Sequence, residues 1–200
     1  LAAGAELRFD TVGRGGEHTW RATREFALLG QLLAGVDWGE QDLLLFDLPP
    51  GAERLAQYAD FLGPEAAFLL VTIPSDVARG VVARSLSALA AAGGRAIGHV
   101  ENMAGYWCAE CGAVRPLFPE GGGELAVPRL GRVPFDPALA ALCDRGWPAD
   151  EEPAGSGALA AVDAVADRLE EAWRDEPPAP ADPASTRVTA PTHPSPEVRP

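Results

Sequence analysis

Two cysteines separated by two residues form the strongest candidate site for chemistry in this sequence. Cys108 and Cys111 stand in the segment CAECG, and Gly112 follows the second cysteine. Two thiolates at this spacing can converge on one metal, and tetrahedral sulfur sites suit Zn²⁺ or an iron–sulfur cluster. One such pair supplies only two ligands. A complete site therefore needs two more, which a second copy of the chain could donate across a two-fold axis.

Two other interpretations of this cysteine pair stay open. A redox-active pair is typical of a helix N-terminus, which lowers the thiol pKa, whereas this pair is predicted to lie in a long loop after a strand. The pair could also belong to a turn whose thiols have no function. Metal binding is the interpretation that the spacing favours.

A carboxylate at the end of an apolar run is the second candidate. The run Leu43–Phe46 in DLLLFDLPPG predicts a strand buried on both faces, and the prolines after Asp47 end it because they lack an N–H for the ladder. Ligands bind at the carboxyl edge of open α/β sheets, where Asp47 could hold Mg²⁺ through water. The alternative is that Asp47 only caps the following turn. Glu101 and Asn102, which end a later predicted strand, are the second strand end considered as part of this candidate site.

Strands and helices alternate along the chain at the spacing of βαβ units. The patterns predict strands at 43–47, 66–73, 95–102 and 130–133, helices at 23–34, 75–92, 137–143 and from 156, a short helix or ordered loop at 52–62, and a long loop at 103–127. The predicted fold class is α/β, a parallel sheet with helices on both faces. Residues 1–175 form the predicted domain, and the Pro- and Ala-rich residues 176–200 a disordered tail.

The net charge and the composition disfavour several classes of partner and location. The net charge of −13 disfavours nucleic acid and anionic membrane as partners, and no run of 18 apolar residues predicts a membrane span. The chain shows no signal-peptide pattern, and three cysteines do not make a secreted disulfide framework. These features predict a cytoplasmic protein. Cys143 is expected to be a small buried residue and His99 a core or edge residue.

Four segments together resemble the Mrp family. They are DWGEQDLLLFDLPPG, FLLVTIPSDVARGVVAR, GHVENMAGYWCAECG and LFPEGGGELAVPRLGRVPFDPALAAL, and the resemblance covers about residues 20–148. The family comprises MinD/ParA-like P-loop ATPases that carry iron–sulfur clusters. It implies a P-loop NTPase fold of the SIMIBI type, a homodimer, and iron–sulfur apo-proteins as recipients.

The resemblance also implies roles for single residues. Asp47 matches a Walker B-type carboxylate near Mg²⁺, and Cys108 and Cys111 match ligands of a labile [4Fe-4S] cluster that bridges two protomers. Pro49, Pro50 and Gly51 match the switch loop, which senses the γ-phosphate of ATP. Asn102 matches a residue that contacts the adenine base, and the turn that contains Pro134 and Asp136 lies near that base.

Two departures from the family pattern change the expected activity. The sequence contains no lysine, so the family's glycine-rich phosphate loop and its lysines are expected to be absent at the N-terminal end. The family's Thr-Gly-Asp after DLPPG is replaced by Ala52-Glu53-Arg54. We therefore expect an iron–sulfur cluster carrier that does not hydrolyse ATP as this chain alone. The alternatives are a zinc- or cluster-bridged dimer without nucleotide and a positioning ATPase, which would have no use for the cysteine pair.

Overall fold

The structure is a computed structural model that describes residues 17–119, 124–146 and 156–175, with the backbone alone for residues 17–23. The chain divides into two compact units, Leu1–Asp47 and Leu48–Pro200. The predicted tail at 176–200 and the glycine run at 121–123 lie outside the described residues. Within the described part, no helix is long and apolar enough to cross a membrane.

The described residues of the first unit, 17–47, contain one helix, α1 (Glu17–Gly35), which starts earlier than the predicted helix. The strand predicted at 43–47 is wrong, because these residues adopt no regular secondary structure and Leu45 is 78% exposed. An apolar run becomes a strand only when a neighbouring strand accepts and donates its backbone hydrogen bonds. Among the described residues, none pairs with residues 43–47.

The second unit alternates helices and strands largely as predicted. Its elements are α2 (Ala52–Leu62), β1 (Ala67–Thr72), α3 (Asp76–Ala91), β2 (Arg95–Cys108), β3 (Ala113–Arg115), β4 (Arg129–Phe135), α4 (Pro137–Arg145) and α5 (Gly157–Asp175). The predicted start of α3 is confirmed, since the Ser75 hydroxyl accepts a hydrogen bond from the Ala78 N–H at 3.3 Å. This contact satisfies one of the backbone donors left free at a helix N-terminus.

The sheet has β2 at its centre. Strands β1 and β4 pair with β2 in parallel, and the short β3 pairs with it antiparallel. The α/β class is confirmed, but the predicted loop at 103–127 is wrong at its start: residues 103–108 continue β2, and 109–112 turn the chain back into β3. Gly112, with φ +60°, adopts the left-handed conformation of this turn at low cost.

The two faces of the sheet are covered by different helices. Arg79 of α3 contacts Glu101 on one face. On the other face, the backbone of Gly131, which is in register with Val100, lies so close to Val165 of α5 that a Cβ would overlap it. Because successive strand residues point to opposite faces, α3 and α5 lie on opposite sides of β2 and β4, as predicted.

Strand β1 is buried on one face only. Phe68, Leu70 and Thr72 are buried, whereas Leu69 and Val71 are exposed. The exposed pair lies on the face opposite α3, since Thr72 is in register with Glu101. The predicted burial of Cys143 is also wrong, because its position on α4 is exposed. His99 is buried as expected, with its Nδ1 3.2 Å from the Val127 carbonyl oxygen.

Close packing at Gly98 in β2 gives a first testable prediction. A Cβ there would lie 2.7 Å from Leu130 Cγ and 2.9 Å from the Pro128 carbonyl oxygen. Gly98→Ala is therefore expected to lower the free energy of unfolding by about 1–3 kcal/mol in urea titrations. Gly80→Ala in α3 is the matched control, because its nearest atom is Arg84 Nη1 at 3.8 Å. Gly80→Ala is expected to raise the free energy of unfolding by about 0.5–1 kcal/mol. Equal effects of the two changes would contradict the close packing at Gly98.

Candidate functional site

A β-hairpin carries the two cysteines. Cys108 is the last residue of β2 and is half-buried, while Cys111 lies in the turn and is exposed. The turn is closed by a hydrogen bond of 2.9 Å from the Gly112 N–H to the Cys108 carbonyl oxygen. Both thiols therefore lie at the tip of the hairpin on a backbone held by ladder and turn hydrogen bonds.

Arg115 is a site residue that the motif alone did not reveal. It follows the turn at the end of β3, and its Nη2 lies 3.6 Å from Cys111 Sγ. The nearby sulfurs raise the pKa of Arg115. The Arg115 side chain also helps to lower the pKa of the Cys108 thiol, and a thiolate is the form of cysteine that binds metals. In the sequence, Arg115 stands four residues after Cys111. This spacing indicates a contact between the two side chains only when the hairpin that joins them is known.

The hairpin also changes the acidity of Cys108. Hydrogen bonds from the side chain and then the backbone of Cys111 lower the pKa of the Cys108 thiol to about 7, against a smaller opposing effect of burial. The backbone of Glu110 and the side chain of Arg115 lower the pKa further. Near neutral pH, about half of the Cys108 side chains are then thiolate.

This pKa predicts the pH dependence of alkylation. A thiolate forms as pH rises through the pKa, so the iodoacetamide reaction of Cys108 in the metal-free protein should reach half its maximal rate near pH 7. Arg115→Gln removes one of the lowering contacts and is expected to move that midpoint upward. Peptide mass spectrometry reads each cysteine separately. A midpoint near the ordinary thiol value in the unchanged protein would contradict the hairpin geometry.

The described part of one chain offers two thiols to a tetrahedral sulfur site, those of Cys108 and Cys111. No group of three or more His, Cys, Asp or Glu side chains able to hold a metal occurs among the described residues. The third cysteine, Cys143, lies on α4 and is not grouped with the hairpin cysteines. A four-sulfur site built on this hairpin therefore requires sulfurs from elsewhere.

Asp47, matched to the Walker B-type carboxylate, and the three residues matched to the switch loop are close in sequence but belong to different units. Asp47 ends the first unit and is exposed. Pro49, Pro50 and Gly51 begin the second unit, also exposed, directly before α2. Gly51 is the N-cap residue of α2 with φ +126°, a conformation that side chains other than glycine rarely adopt.

The residues matched to the adenine contact lie together at the carboxyl end of the parallel strands. Asn102 of β2 is in register with Val133, next to the buried Pro134 of β4. The Asn102 side chain is exposed, and its Oδ1 accepts a hydrogen bond from the Met103 N–H at 2.9 Å. The carboxyl end of parallel strands is the usual ligand edge of open α/β sheets.

Asp136 caps one helix and contacts the start of another at this edge of the sheet. Its side chain is buried, and Oδ1 accepts a hydrogen bond from the Ala138 N–H at 2.9 Å, which caps α4. Oδ2 accepts a hydrogen bond from the Ser156 hydroxyl at 2.6 Å, directly before α5. Both carboxylate oxygens are thus used within the chain, and Asp136 fixes the start of two helices beside the strand ends.

Three arginines surround a buried carboxylate at the same end of the sheet. The Glu101 side chain is 3% exposed, and its oxygens lie 3.1 Å from Arg79 Nη2, 3.1 Å from Arg132 Nε and 3.5 Å from Arg129 Nη1. We call these three arginines and Glu101 the arginine cluster. Sequence reasoning identified Glu101 only as a strand end, because the arginines come from separate elements.

Comparison with known proteins assigns the chain to a family. The sequence model described as ParA, NUBPL iron-transfer P-loop NTPase, matches residues 12–170. The cytosolic Fe-S cluster assembly factor NUBP2 of Homo sapiens is 38% identical over 159 residues, which is 75% of this chain and 58% of that protein. The iron-sulfur cluster carrier protein of Saccharolobus solfataricus is 36% identical over 135 residues, which is 64% of this chain and 46% of that protein.

A solved structure of a nucleotide-binding protein is also similar to this chain. The nucleotide-binding protein of Archaeoglobus fulgidus, in complex with ADP and with cobalt found in it, superposes with a TM-score of 0.54 at 31% identity. The match covers 65% of this chain and 56% of the archaeal chain, and this chain spans about half the length of the curated relatives named above. The resemblance to iron–sulfur P-loop ATPases is confirmed, and the chain belongs to the NUBPL-type iron-transfer P-loop NTPases of the ParA family.

Proposed function

We propose that this protein binds and transfers a [4Fe-4S] cluster, which two copies of the chain hold between their hairpin cysteines. The observation that carries the proposal is the pair of accessible thiols of Cys108 and Cys111, without further sulfur ligands beside them among the described residues. Two chains related by a two-fold axis supply the four thiolates that such a cluster needs. The names of the relatives, a cluster assembly factor and a cluster carrier, support this function.

The thiol chemistry suits a cargo that must be both held and released. The lowered pKa of Cys108 makes thiolate available near neutral pH, and Arg115 offers an N–H donor and a positive charge toward Cys111. Hydrogen bonds to cluster sulfurs and solvent exposure both tune such a site. Exposure at the hairpin tip leaves the cluster open to attack by the thiols of a recipient apo-protein. We propose iron–sulfur apo-proteins as the partners and the cytoplasm as the location, in line with the cytosolic relatives.

We also propose that ATP with Mg²⁺ binds at the carboxyl edge of the sheet if a glycine-rich, lysine-containing phosphate loop, which this sequence lacks, is supplied. The exposed amide of Asn102, beside Pro134, would contact the base, and Asp136 would hold the neighbouring turn in place. Asp47 would bind the Mg²⁺ ion through water, and Pro49–Gly51 would respond to the γ-phosphate. The ADP bound by the archaeal neighbour supports nucleotide binding in this fold. Nucleotide binding would reshape the dimer and so gate cluster loading and release.

The purified chain alone is expected to turn over no ATP. Phosphate transfer in P-loop enzymes needs a lysine and a glycine-rich loop at the phosphates, and this sequence contains no lysine. A phosphate-release assay with Mg²⁺ and ATP should therefore match the buffer blank. Turnover that needs Mg²⁺ and persists after further purification would contradict this part of the proposal.

Anaerobic reconstitution tests the carrier function. The purified chain is incubated with ferrous iron, sulfide and a thiol reductant, and then iron, sulfide and zinc are measured in the desalted protein. The proposal predicts equal amounts of iron and sulfide, a visible thiolate-to-iron absorbance, and transfer of the cluster to an apo-ferredoxin. Stoichiometric zinc without sulfide would instead indicate the zinc-bridged dimer, because two cysteines per chain suit that metal equally well.

A further inference from the structure

Counting the described residues, the three guanidinium groups of the arginine cluster have two carboxylate partners, Glu101 and Asp76, so one positive charge is not neutralised. Arg129 and Arg132 both contact the same oxygen of Glu101, at 3.5 and 3.1 Å, and Arg79 contacts the other oxygen. Arg79 has a second carboxylate nearby, the exposed Asp76 at 3.3 Å. Arg129 and Arg132 therefore share one oxygen of the Glu101 carboxylate, and Arg79 contacts the other oxygen of the same group.

Within the part of the chain that the structure describes, most N–H donors of Arg129 and Arg132 make no hydrogen bond. A guanidinium carries five N–H donors. Beyond the contact with Glu101, Arg132 donates one long hydrogen bond of 3.5 Å to the Ala104 carbonyl oxygen. Both side chains are about half exposed, at 52% and 55%, whereas Glu101 is buried. Two guanidinium groups held at one oxygen repel each other, and an additional anion would relieve that repulsion.

A cavity lies directly at these side chains. It has a volume of about 570 Å³, and Arg79, Arg129, Arg132 and Glu101 form its charged wall. Val114 and residues 116–119, which follow the cysteine hairpin, form its apolar wall. This volume lies within the range of small-molecule sites, and an apolar wall with a few convergent charged groups is their usual composition.

The cavity is separate from the edge proposed for the nucleotide base. Glu101 and Asn102 are successive residues of β2, so their side chains point to opposite faces of the sheet. The arginine cluster lies on the face of α3, as the contact of Arg79 shows. Asp136, by contrast, binds Ser156 at the start of α5, on the other face.

We propose that this cavity is a second ligand site, which binds a small oxyanion through Arg129 and Arg132. The ligand carries a phosphate or carboxylate group, because planar guanidinium groups bind the oxygens of both in paired hydrogen bonds. Glu101 holds the two arginines in place and also competes with the ligand for their N–H groups. A bound anion would link β4 to the segment that follows the cysteine hairpin, and so connect ligand binding to the proposed cluster site.

Calorimetric titration of the purified metal-free chain with inorganic phosphate and, separately, with citrate tests the proposal. Both anions are titrated at constant ionic strength. Saturable binding of at least one of them is expected, and the tighter anion identifies the phosphate or the carboxylate class. Arg129→Gln with Arg132→Gln should weaken this binding at least tenfold, whereas Arg84→Gln, an exposed arginine of α3 outside the cavity, should leave it unchanged. No saturable binding, or equal binding by the double variant, overturns the proposal.

A second variant distinguishes a ligand site from a purely structural ion network. Glu101→Gln removes the competing charge but keeps the size of the side chain, so the folded variant should bind the anion about threefold more tightly or better. Unchanged or weaker binding by this variant, with its fold verified by circular dichroism, contradicts the proposal. Cys108→Ser with Cys111→Ser should bind the anion as the unchanged chain does, so the result does not depend on the cluster function.

Discussion

Serine at both Cys108 and Cys111 is expected to remove all cluster binding from this protein. Serine keeps the approximate size of each side chain but replaces the soft thiolate by a hydroxyl, which is a poor ligand for iron–sulfur clusters. After anaerobic reconstitution, iron and sulfide in the double variant should fall to about a tenth of the level in the unchanged protein or less. Colorimetric iron and sulfide assays measure this directly.

Cys143→Ser is the matched control for that experiment. Cys143 is an exposed thiol on α4 and is not part of the hairpin, so its replacement should leave iron and sulfide contents unchanged. This control separates a specific site from iron that binds to any accessible thiol. Iron and sulfide retained in the hairpin variant, or lost equally in the Cys143 variant, would refute the assignment of Cys108 and Cys111 as ligands.

Asp136→Ala is expected to cause a large loss of stability. The change removes the cap of α4 and the hydrogen-bond partner of the Ser156 hydroxyl at a position that is 5% exposed. Loss of a helix cap costs about 0.5–2 kcal/mol, and loss of a buried hydrogen bond to a charged group about 1.5–3 kcal/mol. Together they predict a decrease of about 2–4 kcal/mol in the free energy of unfolding, measured by urea titration without nucleotide.

Two control variants sharpen the Asp136 prediction. Asp144→Ala removes an exposed carboxylate from the same helix and should change stability by less than about 0.5 kcal/mol. Ser156→Ala removes one of the two contacts and should cost about 1 kcal/mol. If Asp136→Ala is as stable as Asp144→Ala, the carboxylate does not hold the two helices as the structure describes.

Elements with local signals could be predicted from the sequence. Helix α3 has a hydroxyl cap at Ser75, regularly spaced apolar residues, and two glycines after its last turn. Each signal acts within a few residues of the place where it is read, so no knowledge of the rest of the fold is needed. The same reasoning gave approximate bounds for β1 and β4 and the start of α5 near Ser156.

Strand formation at 43–47 and the hairpin at 108–115 could not be decided locally. Leu43–Phe46 has the composition of a buried strand, yet a strand requires a partner for its backbone groups, and none of the described residues provides it. Strand β3 is three residues long and exposed throughout, so it shows no alternation of apolar and polar residues. A local signal for this hairpin is the turn-forming Gly112, with Tyr106 and Trp107 before it and Val114 after it as residues of high strand propensity.

The candidate site was predictable in its ligands but not in their surroundings. The spacing of Cys108 and Cys111 indicates a metal site before any fold is known. Arg115 comes to Cys111 only through the hairpin, and the arginine cluster forms only when α3, β2 and β4 meet at the sheet. Such contacts depend on strand register, in which a shift of one residue turns every side chain to the other face.

Native mass spectrometry of the anaerobically reconstituted protein tests most directly whether two chains share one cluster through their hairpins. The expected species contains two chains, four irons and four sulfides, and it separates into metal-free single chains when the cluster is removed with a chelator. A single chain that retains its own complete cluster, or a dimer that contains zinc and no sulfide, would contradict this sharing of one cluster.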